Sequence, residues 1–276
     1  MSGQNFQMPA KRAMAGAIAY NQGDYETAHR EFLKAAEQGN VNAQFNIGVM
    51  YQHGEGVQKD ITEALRWYHK AAERDYAMAQ FNLGVIFLNG EGVQKDNAEA
   101  IRWFRKAAEH DYANAQYNLG LIFRIGEGVQ KDDVEAARWF HKAAEQGHAE
   151  AQFGLGVIFF NGEGIQKDDA EALRWYRKAA EQGFAMAQNN LGLMYANGEG
   201  VPQDYIEAYK WFSLAATQGD EGAATARDRL RQIMTPSQIA QALARTREWR
   251  LPESIRHIVE EAEARYGKVF DWLAER

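Results

Sequence analysis

Cysteine is absent from the 276-residue sequence, and proline occurs only four times. The lack of cysteine excludes disulfides, cysteine zinc ligands and a thiol nucleophile. No apolar run approaches the roughly 18 residues that a membrane-spanning helix needs. The short alanine-rich stretch from Ala13 to Tyr20 is expected to form a helix rather than a secretion signal. We therefore expect a cytoplasmic protein; a signal peptide removed upstream would instead make it periplasmic or secreted.

Basic residues are fewer than acidic ones, 31 against 38, so the formal net charge is −7. A protein that grips a phosphate backbone carries a basic patch, so we do not expect nucleic acid as the partner. Hydrophobic residues make up 46% and charged residues 25%, which is typical of a folded domain rather than a disordered chain.

The chain contains an internal repeat with a period of 36 residues, seen in five copies of one glycine-rich segment. These copies are AQFNIGVMYQHGEGV from Ala43, AQFNLGVIFLNGEGV from Ala79, AQYNLGLIFRIGEGV from Ala115, AQFGLGVIFFNGEGI from Ala151 and AQNNLGLMYANGEGV from Ala187. Five tryptophans keep the same spacing: Trp67, Trp103, Trp139, Trp175 and Trp211. A fixed period of this length is typical of stacked repeat proteins.

Each repeat is predicted to form two helices. In the first full copy, Ala43, Ile47 and Tyr51 fall on one face of a first helix that runs from about residue 42 to 53. Gly48 lies on the same face at a cost of roughly 1 kcal/mol relative to alanine. Because a glycine recurs there in every copy, we expect the next helix to approach closely.

Loop residues are predicted to set the helix ends. The Gly-Glu-Gly turn ends the first helix, since glycine accepts a left-handed conformation. A recurring aspartate is expected to cap the second helix, at Asp60, Asp96, Asp132, Asp168 and Asp204. The second helix closes at Gly147, Gly183 and Gly219 in several copies, but at Asp75 and Asp111 in two others.

This pattern resembles the Sel-1-like repeat, a relative of the tetratricopeptide repeat with a longer loop between its helices. The motif is Ala-x-x-x-Leu-Gly-x-x-Tyr-x-x-Gly-x-Gly-Val-x-x-Asp, followed by Ala-x-x-Trp and Ala-Ala-x-x-Gly. The resemblance covers roughly residues 10 to 250. It implies an all-α fold, a right-handed α/α superhelix (solenoid) of tandem helix–turn–helix repeats.

Four parts are expected along the chain. An atypical tetratricopeptide-like repeat or cap occupies residues 1–40, and five 36-residue Sel-1-like repeats occupy 41–219. Capping helices follow at 220–250. The last part, 251–276, is expected to be a helical tail that either caps the last repeat or docks, into a partner's groove or into the chain's own concave face.

The resemblance implies an adaptor that binds a protein or peptide along a concave face lined by the first helices, without catalysis. An asparagine column on that face either clamps an extended peptide or ties neighbouring repeats together; its members are Asn46, Asn82, Asn118 and Asn190. Tyr117 belongs to an aromatic column for which packing between repeats is favoured over ligand contact.

The ends of the first helices differ most between copies, and we place the partner there. The residues concerned are His53, Leu88, Arg124, Ile125 and Phe160. Apolar residues among them are poorly explained as solvated helix ends, and Arg124 is available to a carboxylate.

The sequence contains no arrangement of residues that is typical of a catalytic or metal site. The seven histidines include no metal-binding pair at i, i+4 spacing, and the Gly-Glu-Gly turns lack the Lys-Ser/Thr ending of a phosphate loop. We therefore expect no catalytic residue, no cofactor and no metal. Two alternatives stay open. One is a self-assembling structural module that uses the tail residues Val269, Phe270, Trp272 and Leu273. The other is a secreted or periplasmic member that binds a small molecule or hydrolyses it.

Overall fold

The structure is a computed structural model that describes residues 4–249, with side chains from Met8 onward. This part of the chain forms fourteen α-helices and no strand. Their bounds are α1 Gln4–Asn21, α2 Tyr25–Glu37, α3 Val41–His53, α4 Ile61–Ala72, α5 Ala77–Asn89, α6 Asn97–Glu109, α7 Ala113–Ile125, α8 Asp133–Glu145, α9 Ala149–Asn161, α10 Asp169–Glu181, α11 Ala185–Asn197, α12 Tyr205–Ala216, α13 Glu221–Ile233 and α14 Pro236–Trp249. The tail residues Val269, Phe270, Trp272 and Leu273 lie outside the described residues.

The helices form two compact units, with α1–α8 in unit 1 and α9–α14 in unit 2. Consecutive helices pack against one another from α1 to α8 in unit 1 and from α9 to α13 in unit 2, while α14 packs against α12. Such local stacking lets each helix pair bury its apolar face against its neighbours. The predicted all-α solenoid of tandem helix–turn–helix repeats is confirmed.

Aromatic rings of the second helices fill the space above the recurring glycines. A Cβ atom added at Gly48 would lie 2.6 Å from the ring of Tyr68. The glycines of the other repeats face their rings in the same way: Gly16 and Phe32, Gly84 and Phe104, Gly120 and Phe140, Gly156 and Tyr176, Gly192 and Phe212. The predicted close approach is confirmed, and alanine here would overpack the core at a cost of about 1–3 kcal/mol.

The predicted caps are present at the end of the first helix and at the start of the second helix of a repeat. The Asp60 carboxylate accepts a hydrogen bond from the Glu63 amide N–H at 3.0 Å, which satisfies an otherwise unpaired donor of α4. Gly54 ends α3 in the left-handed conformation, with φ 77°. Asp75 and Asp111 adopt the same conformation, with φ of 60° and 56°, where the other copies have glycine.

A buried glutamine joins consecutive repeats. In α5 the Gln80 side-chain amide donates to the Ala72 carbonyl at 3.1 Å, and Gln188 of α11 donates to Ala180 at the same distance. In unit 2, the Gln218 amide then donates to Gln188 Oε1 at 2.9 Å. These bonds connect the first helix of one repeat to the second helices on both sides of it.

The helices α13 and α14 cover the last repeat. Trp249 of α14 meets Trp211 of α12 edge-on, with ring centroids 5.2 Å apart, and the Arg245 guanidinium pairs with the Glu207 carboxylate at 2.7 Å. Among the described helices, none has both the length and the apolar character to span a membrane.

Candidate partner-binding surface

One stripe of each first helix stays accessible, and we call it the exposed stripe. In α11 it consists of Met186, Asn190, Leu193 and Asn197, spaced by four, three and four residues as one helical face requires. Met186 is 52% exposed and Leu193 is 41% exposed. Two exposed apolar side chains of this size on one short helix favour a contact surface over a solvated face.

The same stripe recurs in unit 1. In α7 it ends at Ile125, which is 69% exposed, and in α5 it starts at Met78, which is 40% exposed. The predicted residue His53 lies at the exposed end of the stripe in α3. Among the predicted site residues that the structure describes, Ile125 is therefore the most accessible apolar side chain.

The asparagine column has a role that the sequence analysis did not foresee at two of its positions. The Asn46 amide donates to the Asn42 carbonyl at 2.9 Å, and the Asn118 amide donates to the Asn114 carbonyl at 2.8 Å. Each bond lies within one helix turn, so these two amide nitrogens are bound to their own helix. Asn82 instead lies close to the hydroxyl of Tyr68 in the preceding repeat and lowers its pKa, against the larger effect of burial.

The aromatic column packs against its own repeat. Tyr117 lies 5.8 Å from Phe140 of the following helix and stacks on His148, with centroids 4.7 Å apart. Phe45 makes the equivalent contacts with Tyr68 and Tyr76. Such pairs contribute about 0.5–1.5 kcal/mol beyond their buried area, which favours a structural role for this column.

Residues at the ends of the first helices lie between the exposed stripe and the next repeat. Leu88 and Arg124 are half-buried at the ends of α5 and α7. At the equivalent position of α3, Gln52 accepts from the Tyr68 hydroxyl at 2.7 Å and donates to the Glu91 carboxylate at 3.2 Å. Burial raises the pKa of Tyr68, so this hydroxyl stays protonated. In the first full repeat the polar groups here are therefore paired with one another.

Unit 2 contains a cavity at the corresponding place, where Phe160 replaces the glutamine. Its volume is about 180 Å³, smaller than the roughly 300–1,000 Å³ of small-molecule sites. The size suits a single side chain of a partner. The lining residues are Phe160, Tyr176, Asn190, Leu193, Met194, Asn197 and Glu199. Two predicted site residues, Phe160 and Asn190, are thus brought together, and the first of them is half-buried.

Glu199 gives this cavity its charge. In unit 1, Glu91 and Glu127 pair with Lys59 and Lys95 at 3.4 and 2.7 Å. The lysine equivalent in unit 2, Lys167, instead pairs with Asp169 at 3.2 Å. The Glu199 carboxylate therefore has no ion pair within residues 4–249, and it can accept hydrogen bonds from a cation in the cavity.

Five lining residues are not among the site residues predicted from the sequence: Tyr176, Leu193, Met194, Asn197 and Glu199. Leu193 could have been predicted from the sequence, because it shares a helical face with Met186, Asn190 and Asn197, which lie seven, three and four residues away from it. Glu199 belongs to the repeated Gly-Glu-Gly turn and carries no sequence signal of its own. Within the described residues, no three histidine, aspartate or glutamate side chains are grouped so as to hold a metal ion.

Tandem helix pairs with glycine–aromatic contacts, left-handed glycine caps and an exposed stripe define a class, that of the α-helical repeat proteins related to the tetratricopeptide repeat. The chain belongs to the Sel1 repeat family. The family model matches six consecutive segments: 15–40, 41–76, 77–112, 113–148, 149–184 and 185–220. The first segment is ten residues shorter than the others, and it includes the Gly16–Phe32 contact.

Solved Sel1 structures resemble this fold. A Sel1 repeat protein from Oxalobacter formigenes is 37% identical with a TM-score of 0.73, over 78% of this chain and 88% of that one. The protective antigen c5321 of uropathogenic Escherichia coli is 29% identical with a TM-score of 0.55, over 94% of this chain but only 63% of that one.

A curated relative shows a shorter match. The DAP3-binding cell death enhancer 1 of Rattus norvegicus is 39% identical over 57 residues, 18% of this chain. The chain therefore spans only 11% of that protein's length. Sel1 repeat proteins are typically protein-interaction modules and generally non-catalytic scaffolds.

Proposed function

We propose that this protein is a scaffold that binds a protein or peptide through the exposed stripes of its first helices, without catalysing a reaction. The observation that carries the proposal is the unit 2 cavity, which adjoins the stripe of α11 and is lined by Phe160, Asn190 and Leu193. The mammalian relative is named for binding another protein, which supports the same class of function. The cytoplasmic location expected from the sequence is kept as part of this proposal.

The cavity suits a lysine or arginine side chain of the partner. Such a side chain buries its aliphatic stem on apolar surface and keeps its charged head near polar groups. Phe160, Leu193 and Met194 offer the apolar surface, while Glu199 offers the opposite charge. The formal net charge of −7 also attracts a basic partner.

Selection from a random peptide library displayed on phage tests this function. Peptides enriched on the wild-type chain are expected to contain lysine or arginine beside apolar residues. Glu199→Lys is expected to weaken their binding by at least tenfold, because it places a positive charge at the cavity. Glu181→Lys is the matched control, since it makes the same charge change at an exposed position on α10.

Two results would contradict the proposal. Absence of any enriched peptide would remove the binding function itself. Equal affinity of the enriched peptides for the Glu199→Lys and Glu181→Lys variants would place the binding surface elsewhere, and the predicted unit 1 residues Leu88, Arg124 and Ile125 would then be replaced by glutamate in turn.

A further inference from the structure

A second cavity lies in unit 2 between the last repeat and the capping helices. Its volume is about 340 Å³, which is within the range of small-molecule sites. Three helices contribute to it, and the lining residues are Tyr209, Ser213 and Thr217 from α12, Arg227 from α13, and Leu243, Thr246 and Arg247 from α14.

Two positions in this cavity depart from the repeat. Ser213 stands where the other copies have long side chains, namely His69, Arg105, His141 and Arg177. Thr217 stands where every other copy has a carboxylate, namely Glu73, Glu109, Glu145 and Glu181. The first change opens space, and the second removes a negative charge from the cavity wall.

The polar groups that remain are suited to an anion. Arg247 makes no ion pair with any residue in the described range, while Arg227 pairs with the adjacent Asp228 at 2.8 Å. The Ser213 hydroxyl is buried, only 7% exposed, and its oxygen has no hydrogen-bond partner within the described chain. A buried hydroxyl without a hydrogen-bond partner destabilises the fold, and a ligand oxygen would supply that partner.

The charge of the two capping helices agrees with this assignment. Residues 221–249 contain five arginines and three acidic residues, a net charge of +2 (5 − 3), on a chain whose total is −7. Guanidinium groups match phosphate geometry by donating two parallel hydrogen bonds. The guanidinium groups of Arg227 and Arg247, together with the Ser213 hydroxyl, are suited to binding a doubly charged tetrahedral anion.

We propose that the cavity between α12, α13 and α14 binds the phosphate group of a small ligand. Arg227 and Arg247 hold the phosphate oxygens, and the Ser213 hydroxyl donates to one of them. Tyr209, which is 4% exposed, and Leu243, which is 47% exposed, form the wall against which the remainder of a phosphate monoester packs. This site is separate from the peptide-binding surface proposed above.

Isothermal titration of the full chain at constant ionic strength tests the site, with inorganic phosphate, glycerol 3-phosphate and succinate as probes. Saturable binding of the phosphate probes, but not of succinate, is expected. Tighter binding of glycerol 3-phosphate identifies a monoester as the ligand, and equal binding identifies free phosphate.

Variants locate the site. Thr217→Glu restores the carboxylate of the other repeats and is expected to lower phosphate affinity at least tenfold, as is Arg247→Gln. Ser213→Ala tests the hydroxyl with little change in volume. Arg231→Gln, an exposed arginine of α13 outside the cavity, is the control and should bind as the wild type does.

Three outcomes would overturn the proposal: no saturable phosphate binding, equal binding of succinate, or equal losses in Arg231→Gln and Arg247→Gln. Unchanged melting temperatures of the variants show that the affinity is compared between folded chains. Because peptide binding is measured on α11, either proposal can fail without the other.

Discussion

At the scale of single residues, Asp75 and Asp111 take a backbone conformation that glycine occupies elsewhere. Their φ angles are 60° and 56°, against 88° for Gly147 and Gly183. The Cβ atom of an L-residue makes the left-handed region unfavourable. The penalty is smaller for aspartate than for most residues, because its side chain can form local hydrogen bonds. Two repeats therefore carry a local strain that the others lack.

Asp75→Gly is expected to raise the free energy of unfolding by about 0.5–1 kcal/mol, measured by urea denaturation. The exposed His110–Asp75 pair at 3.7 Å is lost in the variant, but surface pairs contribute little. Gly147→Asp is the matched reverse change, because a Cβ there meets no atom within 4 Å. It should destabilise by a similar amount; a destabilised Asp75→Gly would refute the strain argument.

Two half-buried histidines predict how stability depends on pH. Burial lowers the pKa of both His29 and His69 below the usual value near 6.5. Below that pH the unfolded chain therefore binds more protons than the folded chain. As a result, the free energy of unfolding is highest above about pH 6.5 and falls on acidification.

His69→Arg is expected to reduce the loss of stability between pH 7.5 and 5.5, because arginine does not titrate there. Arg105 and Arg177 occupy the equivalent position in other repeats, which indicates that the helix accepts this side chain. Urea midpoints at the two pH values provide the measurement. An identical pH dependence in the variant and the wild type would exclude His69 as a source.

At the scale of the helices, the junctions between repeats differ in one hydrogen bond. Gln146 donates to the Gln116 side-chain oxygen at 2.7 Å, and Gln182 donates to Gln152 at 2.8 Å. At the equivalent positions Arg74 and His110 point elsewhere, the first of them to the Gly39 carbonyl. The side-chain oxygens of Gln44 and Gln80 are consequently buried without a partner in the described chain.

His110→Gln is expected to supply the missing donor to Gln80 and to stabilise unit 1 by about 1 kcal/mol. The thermal midpoint should rise, and Gln146→His should lower it by a similar amount. If His110→Gln leaves the midpoint unchanged, the unpaired oxygen of Gln80 carries no penalty.

These helix-level features show what the sequence could predict. The 36-residue period predicted the helix pairs, the glycines that contact Tyr68 and Phe104, and the aspartate caps. It did not predict side-chain rotamers or hydrogen-bond partners. Backbone conformation follows from local residue types, as at Asp60 and Gly54. The fold was therefore predictable from repeated residues alone.

The candidate site was predictable only in part. Phe160 and Asn190 were chosen because they vary or recur at the first-helix surface. Glu199 was missed because its carboxylate is left without an ion pair in the described chain only when Lys167 pairs with Asp169, and the sequence does not show that pairing. The bonds of Asn46 and Asn118 to their own helices likewise depend on side-chain rotamers, which a repeat pattern does not specify.

At the scale of the whole molecule, the residues that hold the helices together differ from the residues proposed for recognition. Positions that repeat in every copy, such as the glycines and tryptophans, hold the helices together. Positions that break the pattern, such as Phe160 and Thr217, lie at the two cavities of unit 2. Recognition is therefore expected to follow the departures from the repeat, and binding energy to concentrate at few residues.

Site-specific photocrosslinking shows whether a partner protein contacts the first helices. Because the chain has no cysteine, Leu193→Cys and Glu181→Cys each provide a unique thiol for a benzophenone label. Both labelled chains are irradiated in lysate of the source cells. We predict a discrete protein adduct from position 193 on the exposed stripe and none from position 181 on α10. Equal adducts from both positions, or adducts from position 181 alone, would contradict a partner-binding surface on the first helices.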